Sequence, residues 1–430
     1  MKVLSFSTAE LEGGAARAAN RLHQGLLGVG VDAYLMVQSR STSSDRVISA
    51  PSKFGRGLNV LRPSLDQLPL YVCGRKGLGS FACQWFPDAI HSQVQSLRPN
   101  VLQLHWVNKG FLRIETVGRL AQPIVWTLHD MWPMTGGCFH SGECERYMVN
   151  CGSCPKLDSR RERDLSRWIW RRKRRAWGSK SITVVCPSEW MAGRARTSSL
   201  FAGRRIEVIP NGLDLQRYRP FERDLARQWL GLPQECKLLM FSAVKGELNP
   251  FKGFQYLPDL LEALDASGWR ERLELVVLGD VSTDVLSRSP LRTRYLGHLQ
   301  DEATLALAYG AVDVFIAPSV IDNLPNTVME AMACGTPTAA FRAGGIPEMI
   351  DHQENGWLAA SGKVDELAAG VDWILQDGER GKRLGLQARR KALQEYDQEL
   401  QAKRYLALYQ DLLEVDVSPQ RRREHGDNWE

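Results

Sequence analysis

Short apolar runs alternate with longer amphipathic segments along most of the chain, and this alternation limits the possible folds more than any other feature. In the first half, five runs have the length and apolar character of β-strands; they cover residues 2–7, 33–38, 101–106, 124–128 and 182–187. Between the first two, residues 15–27 carry apolar side chains at helical spacing. Strands that alternate with helices predict a parallel, doubly wound sheet.

The same pattern then repeats, which predicts a second sheet of the same kind. A run at residues 206–209 leads into the turn-forming sequence Pro210-Asn211-Gly212, and further strand-like runs follow at residues 238–242, 273–278, 312–317 and 338–341. We therefore expect an α/β protein with two Rossmann-like, doubly wound domains at residues 1–205 and 206–397. Residues 398–430 are expected to form an amphipathic helix that can return to the first domain, followed by a charged tail.

The composition is typical of a folded globular protein. Apolar residues make up 43% of the chain and charged residues 24%, and the formal net charge is +6. No stretch reaches the roughly 18 consecutive apolar residues of a membrane span, and the first residues predict a strand instead of a secretory signal. We expect a cytoplasmic protein, and a peripheral contact with the inner face of the cell membrane stays open.

The segment at residues 317–337 is the most informative in the chain. A strand ends there, a polar loop follows, and a helix begins near residue 326. The N–H groups and the dipole at a helix start favour an anion such as a diphosphate. The expected ligand contacts around this helix start are Asn323, Leu324, Asn326, Thr327 and Val328.

Within this segment, Asp322 and Glu330 are separated by seven residues and are followed by Ala-Met-Ala-Cys-Gly-Thr-Pro. This pattern resembles the acidic signature of glycosyltransferase family 4. The resemblance implies that Glu330 hydrogen-bonds the nucleotide ribose and that Asp322, where glutamate is commoner, lies against the donor sugar. The Asp-Asn-Leu-Pro-Asn-Thr version is similar to a sub-group of colanic acid and exopolysaccharide glycosyltransferases. The family implies a GT-B fold with two domains facing a cleft, and a retaining reaction.

Other segments of the second half fit the same resemblance. Lys252, which precedes Gly253, stands where the family has a lysine on the donor phosphates, and an ammonium group can neutralise a leaving diphosphate without a metal ion. The family's arginine after the preceding strand is missing, and Lys245 is a candidate substitute. Leu299 belongs to a segment expected along the nucleotide base, which leaves UDP-sugars and GDP-sugars as alternative donors. Catalysis is expected to require no other cofactor.

Two features of the first half also resemble the family. Gly13 and Gly14 follow the first strand, where the family keeps a glycine-rich loop, and glycine lets a backbone approach a ligand closely. His129 ends a later strand and matches the family histidine that contacts the donor sugar near the reacting centre. His105 and Trp106 end another strand and are expected to line the acceptor pocket.

No catalytic triad or pair of adjacent carboxylates accompanies these residues. This agrees with the family's reaction, in which a donor phosphate oxygen helps to deprotonate the acceptor. We expect a retaining hexosyltransferase that moves a sugar from a nucleotide diphosphate to a glycan or lipid-linked acceptor in polysaccharide biosynthesis. The alternatives are an inactive GT-B scaffold or sugar-binding protein, which Asp322 and the missing arginine keep open, and a GT-B nucleotide-sugar epimerase.

Four of the nine cysteines are clustered, at Cys138, Cys144, Cys151 and Cys154. Four thiolates at this spacing can bind a structural zinc ion tetrahedrally, and His140 can replace one of them. Disulfides, free thiols and an iron–sulfur cluster are the alternatives. The position of the cluster soon after His129 favours a clip that shapes the acceptor side, and not a catalytic metal with an open position.

Residues 160–177 hold the densest positive charge in the chain, interleaved with Trp168, Trp170 and Trp177. Such a helix can lie on an anionic membrane with its tryptophans among the headgroups, and so bring a lipid-linked acceptor to the enzyme. The alternative is a solvated helix whose tryptophans pack into the domain. No recognition motif accompanies the charge, so nucleic acid is not expected as a partner.

Overall fold

Two parallel sheets, each covered by helices, follow one another along the chain. The computed structural model describes residues 1–49, 53–75, 79–242, 250–279, 289–299 and 301–424. The chain divides into two compact units: unit 1 is Met1–Ile209 with the C-terminal residues from Gln401, and unit 2 is Pro210–Leu400. This is the α/β architecture with two Rossmann-like sheets that the sequence predicts.

In the described part of unit 1 the sheet has seven strands, and all of its neighbouring pairs are parallel. The strands are β1 (Lys2–Ala9), β2 (Asp32–Ser39), β3 (Val47–Ile48), β4 (Val101–Leu104), β5 (Ile124–Thr127), β6 (Ile182–Cys186) and β7 (Ile206–Val208). Their order across the sheet is β3-β2-β1-β4-β5-β6-β7. The central strands β4, β5 and β6 are buried along their whole length, as expected when helices cover both faces of a parallel sheet.

The helices of unit 1 bury one apolar side each against this sheet. In α1 the buried side includes Ala19, Leu22 and Leu26, which recur at intervals of three and four residues. The helices before the C-terminal one are α1 (Gly14–Gly28), α2 (Lys53–Asp66), α3 (Leu68–Val72), α4 (Ile90–Leu97), α5 (Ile114–Arg119), α6 (Leu165–Trp177) and α7 (Glu189–Thr197).

The sequence predicts that the run at residues 206–209 begins the second sheet, and this prediction is wrong. Strand β7 pairs with β6, through Val184 with Ile206 and Cys186 with Val208, and so forms the edge of the first sheet. The sequence marks where a strand ends but not which neighbour it joins. The turn Pro210-Asn211-Gly212 therefore follows the last strand of the first sheet, before the first strand of the second.

Among the residues that the structure describes, the sheet of unit 2 has six strands, again with parallel neighbours throughout. They are β8 (Lys237–Ser242), β9 (Leu273–Leu278), β10 (Arg292–Gly297), β11 (Val314–Ala317), β12 (Thr338–Phe341) and β13 (Gly356–Ala359), in the order β10-β9-β8-β11-β12-β13. The two edge strands, β10 and β13, were not predicted. Strand β10 alternates charged and uncharged residues and is half exposed, because an edge strand is not covered on all sides.

Helices of unit 2 pack on both faces of this second sheet, whose buried apolar residues form two clusters. The helices are α8 (Arg223–Trp229), α9 (Leu257–Ala266), α10 (Glu302–Ala311), α11 (Asn326–Ala333), α12 (Ile346–Met349), α13 (Val364–Gln376) and α14 (Gly378–Glu395).

Each sheet has one place where the direction of strand addition reverses. In unit 1 this place lies between β1 and β4, and in unit 2 it lies between β8 and β11. Open α/β sheets bind ligands outside the carboxyl ends of the strands at such a reversal. The loops that follow these four strands are therefore the places to look for a site.

The C-terminal helix, α15 (Gln398–Glu424), packs on the first sheet through two buried tyrosines. The hydroxyl of Tyr405 lies 2.7 Å from Oγ1 of Thr127, and Tyr409 donates to Oε1 of Gln103 over 2.8 Å. Gln103 in turn donates to Thr127 over 2.8 Å. These contacts join the end of the chain to β4 and β5, the strands that carry His105 and His129 at their ends.

Helix α6 resolves one of the alternatives left open by the sequence. Trp170 and Trp177 are buried in unit 1, and only Trp168 is substantially exposed, at 44%. Arg172 is also drawn inward, with a bidentate ion pair to Glu115. Two of the three tryptophans are therefore part of the core and are not available to a bilayer. Among the described residues, no helix combines the length and apolar character that crossing a membrane requires.

Candidate functional site

In unit 2, two of the predicted site residues meet beside the reversal of the sheet. Nζ of Lys252 lies 2.6 Å from Oδ2 of Asp322, although the two residues are 70 positions apart in sequence. The lysine side chain is 38% exposed and the aspartate 14% exposed, so the pair stands at the surface of the unit and is open to a ligand on one side. Lys252 follows β8 along the chain and Asp322 follows β11, the two strands at the reversal.

Two glycines allow the loops around this ion pair to approach one another. Gly253 has a φ of 76°, and a Cβ atom built there would lie 1.8 Å from the carbonyl oxygen of Pro318. Gly344 has a φ of 58°, and a Cβ atom there would lie 1.6 Å from the carbonyl oxygen of Asp322. The next residue, Gly345, donates its N–H to that same carbonyl over 3.0 Å. The backbone of Asp322 is therefore held by a loop that only glycine permits.

Glu330 is positioned by helix α11 and is only 2% exposed. Its Oε2 accepts a hydrogen bond of 3.0 Å from the hydroxyl of Tyr309, which lies on α10. Burial and the charge of Glu330 raise the pKa of the Tyr309 phenol well above its usual value, so the tyrosine remains a donor. Tyr309 cannot be predicted as a site residue from the sequence, because its only signal is a helical position in another element.

The start of α11 has the form expected from the sequence. Pro325 precedes the first turn, and the N–H groups of Val328 and Met329 donate to its carbonyl over 3.1 and 3.2 Å. Leu324 and Val328 have buried side chains, so only their backbone atoms can contact a ligand. The other proposed contacts at this start are placed around it: Asn323 is buried, and Asn326 and Thr327 are half-buried.

Of two further residues proposed for donor binding, the structure describes only one. Leu299 lies just after β10, half-buried against the core of unit 2. Lys245, the candidate substitute for the missing family arginine, lies outside the described residues. Its contribution to the site stays a prediction.

In unit 1, the glycine loop and the two strand-end histidines follow neighbouring strands. Gly13 has a φ of 92° and precedes α1, which begins at Gly14. A Cβ atom on Gly13 would meet no other atom within 4 Å, so this loop borders open space. Thr8, at the end of β1, donates its N–H over 2.8 Å to the carbonyl of Trp106 and so ties this loop to the end of β4.

The two histidines form a direct pair. Nδ1 of His105 lies 3.0 Å from Nε2 of His129, and the rings are stacked with centroids 5.2 Å apart and planes inclined by 21°. Burial lowers the pKa of His129 to about 4 and the pKa of His105 well below 6.5. Both rings are therefore neutral at pH 7, and a ring N–H of one donates a hydrogen bond to a ring nitrogen of the other.

The residues that follow these histidines are also paired. Nε1 of Trp106 donates to Oδ2 of Asp130 over 2.7 Å, and the N–H of Trp132 donates to Oδ1 over 2.8 Å. Burial raises the pKa of Asp130 to about 6. The sequence indicates His105 and His129 separately but not their contact with each other. The available signal is that a histidine follows β4 directly and another follows β5 after one residue.

The four clustered cysteines all line one small cavity of unit 1, of about 20 Å³. They are Cys138, Cys144, Cys151 and Cys154, and all four are present as free thiols. Burial raises the pKa of Cys138 and Cys151 to about 12. Across the described part of the chain, no group of three or more His, Cys, Asp or Glu side chains is arranged to hold a metal ion as it stands.

Family models for glycosyltransferases match most of the chain. Residues 12–217 match the model described as Glycosyltransferase Family 4, and residues 238–377 match the model described as Glycosyl transferases group 1. The paired histidines lie in the first match. The Lys252–Asp322 pair and Glu330 lie in the second.

Curated relatives match part of the chain at moderate identity. The D-inositol 3-phosphate glycosyltransferase of Segniliparus rotundus is 31% identical over 219 residues, which are 48% of this chain and 47% of that protein. The protein of the same name from Mycobacterium marinum is 31% identical over 183 residues, 40% of this chain and 37% of that protein. The match thus spans about half the length of these relatives or less.

Solved structures share the fold along nearly the whole chain. Sucrose-phosphate synthase from Thermosynechococcus elongatus has a TM-score of 0.69 at 17% identity, covering 96% of this chain and 99% of that one. Anabaena HepE, solved in complex with UDP, has a TM-score of 0.62 at 17% identity, covering 96% and 100%. These likenesses confirm the GT-B fold.

Proposed function

Because the chain belongs to glycosyltransferase family 4, we propose that it is a retaining enzyme that transfers a hexose from a nucleotide diphosphate sugar to a glycan or lipid-linked acceptor in polysaccharide assembly. The observation that carries this proposal is the ion pair between Lys252 and Asp322. In this proposal Lys252 is the cation for a leaving diphosphate and Asp322 the carboxylate for sugar hydroxyls. Their position supports it, because open α/β sheets bind ligands beside such a reversal.

The ion pair prepares unit 2 for an anionic donor. In the free protein the carboxylate of Asp322 neutralises the ammonium group of Lys252. A diphosphate carries more negative charge than one carboxylate and so competes for Lys252, after which Asp322 can accept hydrogen bonds from the donor sugar. Because Lys252 has an anionic partner both in the free protein and in the complex, its side chain stays ordered in both states. This limits the conformational entropy lost on binding.

Glu330 serves the nucleoside part of the donor. Its Oε2 is occupied by Tyr309, which fixes the orientation of the carboxylate. In the proposal the carboxylate accepts from the ribose hydroxyls, since hydrogen bonds to a charged acceptor are stronger than those between neutral groups. HepE, which shares the fold, has been solved with UDP and with UDP-glucose, and this supports UDP-sugars as the first donors to test.

The reaction needs no nucleophile from the protein. The acceptor hydroxyl oxygen forms the new bond to the anomeric carbon, the bond from that carbon to the diphosphate oxygen breaks, and the acceptor proton passes to the leaving diphosphate. Lys252 stabilises the charge that develops on the diphosphate. The family resemblance implies that His129 contacts the donor sugar, and the hydrogen bond with His105 would set the orientation of its neutral ring for that role.

A lipid-linked acceptor is supported by the apolar surface of α2 and α3. Large apolar side chains are strongly exposed there, at Val60, Leu61, Leu68, Tyr71 and Val72. An exposed cluster of this kind is typical of a contact with lipid or with another protein. We propose that this surface, and not the tryptophans of α6, makes the peripheral contact with the inner face of the cell membrane.

The first test is a thermal-shift and hydrolysis screen of the purified protein against UDP-sugars and GDP-sugars, with the Glu330→Gln variant alongside. The variant keeps an oxygen for Tyr309 but loses the charge that the ribose would meet. We expect one donor to stabilise the wild type and to release its nucleotide slowly. In the variant, the dissociation constant of that donor should rise about tenfold or more, as for other hydrogen bonds to a charged group.

Glu274→Gln is the matched control, because Glu274 is also a buried carboxylate of unit 2 and is paired with Arg294. It stands near the start of β9, away from the carboxyl end of the strand. It should leave donor affinity unchanged. If a folded wild type responds to none of the donors, the enzyme proposal fails and an inactive scaffold takes its place. If the protein converts the donor into an isomeric nucleotide sugar without an acceptor, it is an epimerase.

A second test concerns the histidine pair. Replacing His105 with phenylalanine keeps an aromatic ring beside His129 but removes the 3.0 Å hydrogen bond. We expect kcat for transfer to fall about tenfold, the loss of one buried hydrogen bond of about 1.4 kcal/mol, with little change in KM for the donor. The measurement is the steady-state rate of sugar transfer at saturating donor.

His105→Asn is the conservative control, because its side-chain amide stands near the position of Nδ1 and can donate to His129 or accept from it. This variant should recover most of the rate. Equal rates for the phenylalanine and asparagine variants would show that the hydrogen bond does not position His129.

A further inference from the structure

We propose that Cys138, Cys144, Cys151 and Cys154 bind one structural zinc ion through their four thiolates. The four side chains come from two segments of unit 1 and line the same cavity of about 20 Å³. A space of that size holds about one small particle, a water molecule or a single ion. Because all four zinc positions would be filled by protein ligands, the site has no open position for catalysis.

The two cysteine segments are fixed by the backbone around them. The N–H of Ala82 donates to the carbonyl of Gly137 over 2.9 Å, and the N–H of Phe139 donates to the carbonyl of Ser80 over 3.0 Å. The residues on both sides of Cys138 are therefore held in place. On the second segment, the N–H of Gly136 donates to Sγ of Cys151 over 3.1 Å. Hydrogen bonds from backbone N–H groups to sulfur stabilise thiolate ligands.

The Cys-x-x-Cys segment has a backbone that needs outside support. Cys151, Gly152 and Ser153 have φ values of 51°, 101° and 43°, three consecutive residues in the left-handed region. For the two residues that are not glycine, this conformation is unfavourable and persists only where the surroundings hold it. A metal ion bonded to the cysteines at both ends of the segment would supply such a constraint.

The segments are also packed as closely as glycine permits. A Cβ atom on Gly136 would lie 2.9 Å from Cβ of Cys151 and 2.4 Å from the carbonyl of Ser166. A Cβ atom on Gly152 would lie 2.3 Å from the carbonyl of Glu162. Glycine at these two positions lets the cysteine-bearing loops converge on one cavity.

Helix α6 is tied to the residues that precede Cys138. Lys173 of α6 is fully buried, and its side-chain nitrogen donates to the main-chain carbonyls of Trp132 and Thr135. These hydrogen bonds fix the turn that leads into the first cysteine of the cavity.

The thiols do not form a metal site as they stand in the described residues, so at least one must rotate about its Cα–Cβ bond into the cavity. Metal binding at this site would affect the segment next to the histidine pair. Cys138 follows the turn that carries Trp132 and Thr135, and Asp130 at the start of that turn bonds to Trp106. Zinc would therefore hold the segment that follows His129.

The test is the metal content of the full chain, purified without chelator and without an affinity tag, measured by plasma mass spectrometry. We expect one zinc ion per chain, released when a mercurial reagent modifies the thiols. Cys144→Ser should reduce the zinc content about tenfold or more, because the loss of one thiolate opens a four-coordinate structural site. Cys73→Ser is the control, since Cys73 is exposed and does not line the cavity.

Cobalt substitution of the wild type guards against a variant that does not fold. Co²⁺ bound by four thiolates gives intense sulfur-to-cobalt charge-transfer bands, and these would support the proposal without any mutation. The proposal is overturned by two disulfides in the intact-mass spectrum, by iron with inorganic sulfide, or by a folded chain with free thiols that takes up neither zinc nor cobalt. Each of these results is independent of donor binding.

Discussion

Replacing Lys252 with alanine is expected to lower kcat for sugar transfer by about 10²–10³-fold, the usual cost of losing one group that stabilises charge in the transition state. Charge on the leaving diphosphate grows as its bond to the anomeric carbon breaks, and Lys252 is the cation that the structure places beside Asp322. The measurement is the rate of nucleotide diphosphate release at saturating donor and acceptor. KM for the donor should change less than kcat, because the interaction is strongest in the transition state.

Lys237→Ala is the matched control for this prediction. Lys237 is also in unit 2, has the same exposure of 38%, and forms an ion pair with a carboxylate, that of Asp313 over 3.2 Å. It stands at the start of β8, away from the carboxyl end of the strand. Its replacement should leave kcat unchanged. Equal effects of the two replacements would mean that Lys252 acts through stability and not through the diphosphate.

A double variant separates the charge of Lys252 from that of its partner. Removing Lys252 leaves Asp322 as a carboxylate that is only 14% exposed and has lost the ion pair. Combining Lys252→Ala with Asp322→Asn removes that unpaired charge. If the double variant has the same rate as Asp322→Asn alone, the loss in Lys252→Ala is due to the unpaired carboxylate of Asp322. A role of Lys252 on the diphosphate is then excluded.

The sequence predicts those strands whose burial leaves a clear apolar pattern. Strands β5 and β9 are buried along their whole length and mostly apolar because helices cover both faces of the sheet, so their sequences predict strands directly. Strand β10 could not be read in this way, since arginine and threonine alternate along an edge that is half exposed. Strand β7 was found but assigned to the wrong sheet, because pairing is set by contacts that are distant in sequence.

The sequence also finds single site residues more readily than their partners. Asp322 and Glu330 stand in one motif, and the position of Lys252 after a strand places it near that motif. Their contacts are another matter, because the hydrogen bond from Tyr309 to Glu330 joins two helices. The pairing of His105 with His129 likewise depends on which strands are neighbours, and strand order is a tertiary property.

Gly344→Ala is expected to abolish transfer and to destabilise unit 2 by about 3 kcal/mol or more, as for other replacements that combine backbone strain with a severe overlap. Gly344 has a φ of 58°, and a Cβ atom there would lie 1.6 Å from the carbonyl oxygen of Asp322. Neither group is the end of a flexible side chain, so the backbone of one loop must move. Any such movement displaces Asp322 and separates it from Lys252.

Gly231→Ala separates the overlap from the strain. Gly231 has a φ of 63° and is also in unit 2, but a Cβ atom there would meet nothing within 4 Å. This control therefore carries the cost of a left-handed alanine, about 1 kcal/mol, without the contact with Asp322. Urea unfolding gives the difference in stability between the two variants, and the transfer assay gives the difference in rate. If Gly344→Ala is destabilised more than Gly231→Ala but retains full activity, the position of Asp322 does not determine the reaction. If the two variants are equally stable and active, the loop at Gly344 does not hold Asp322 at all.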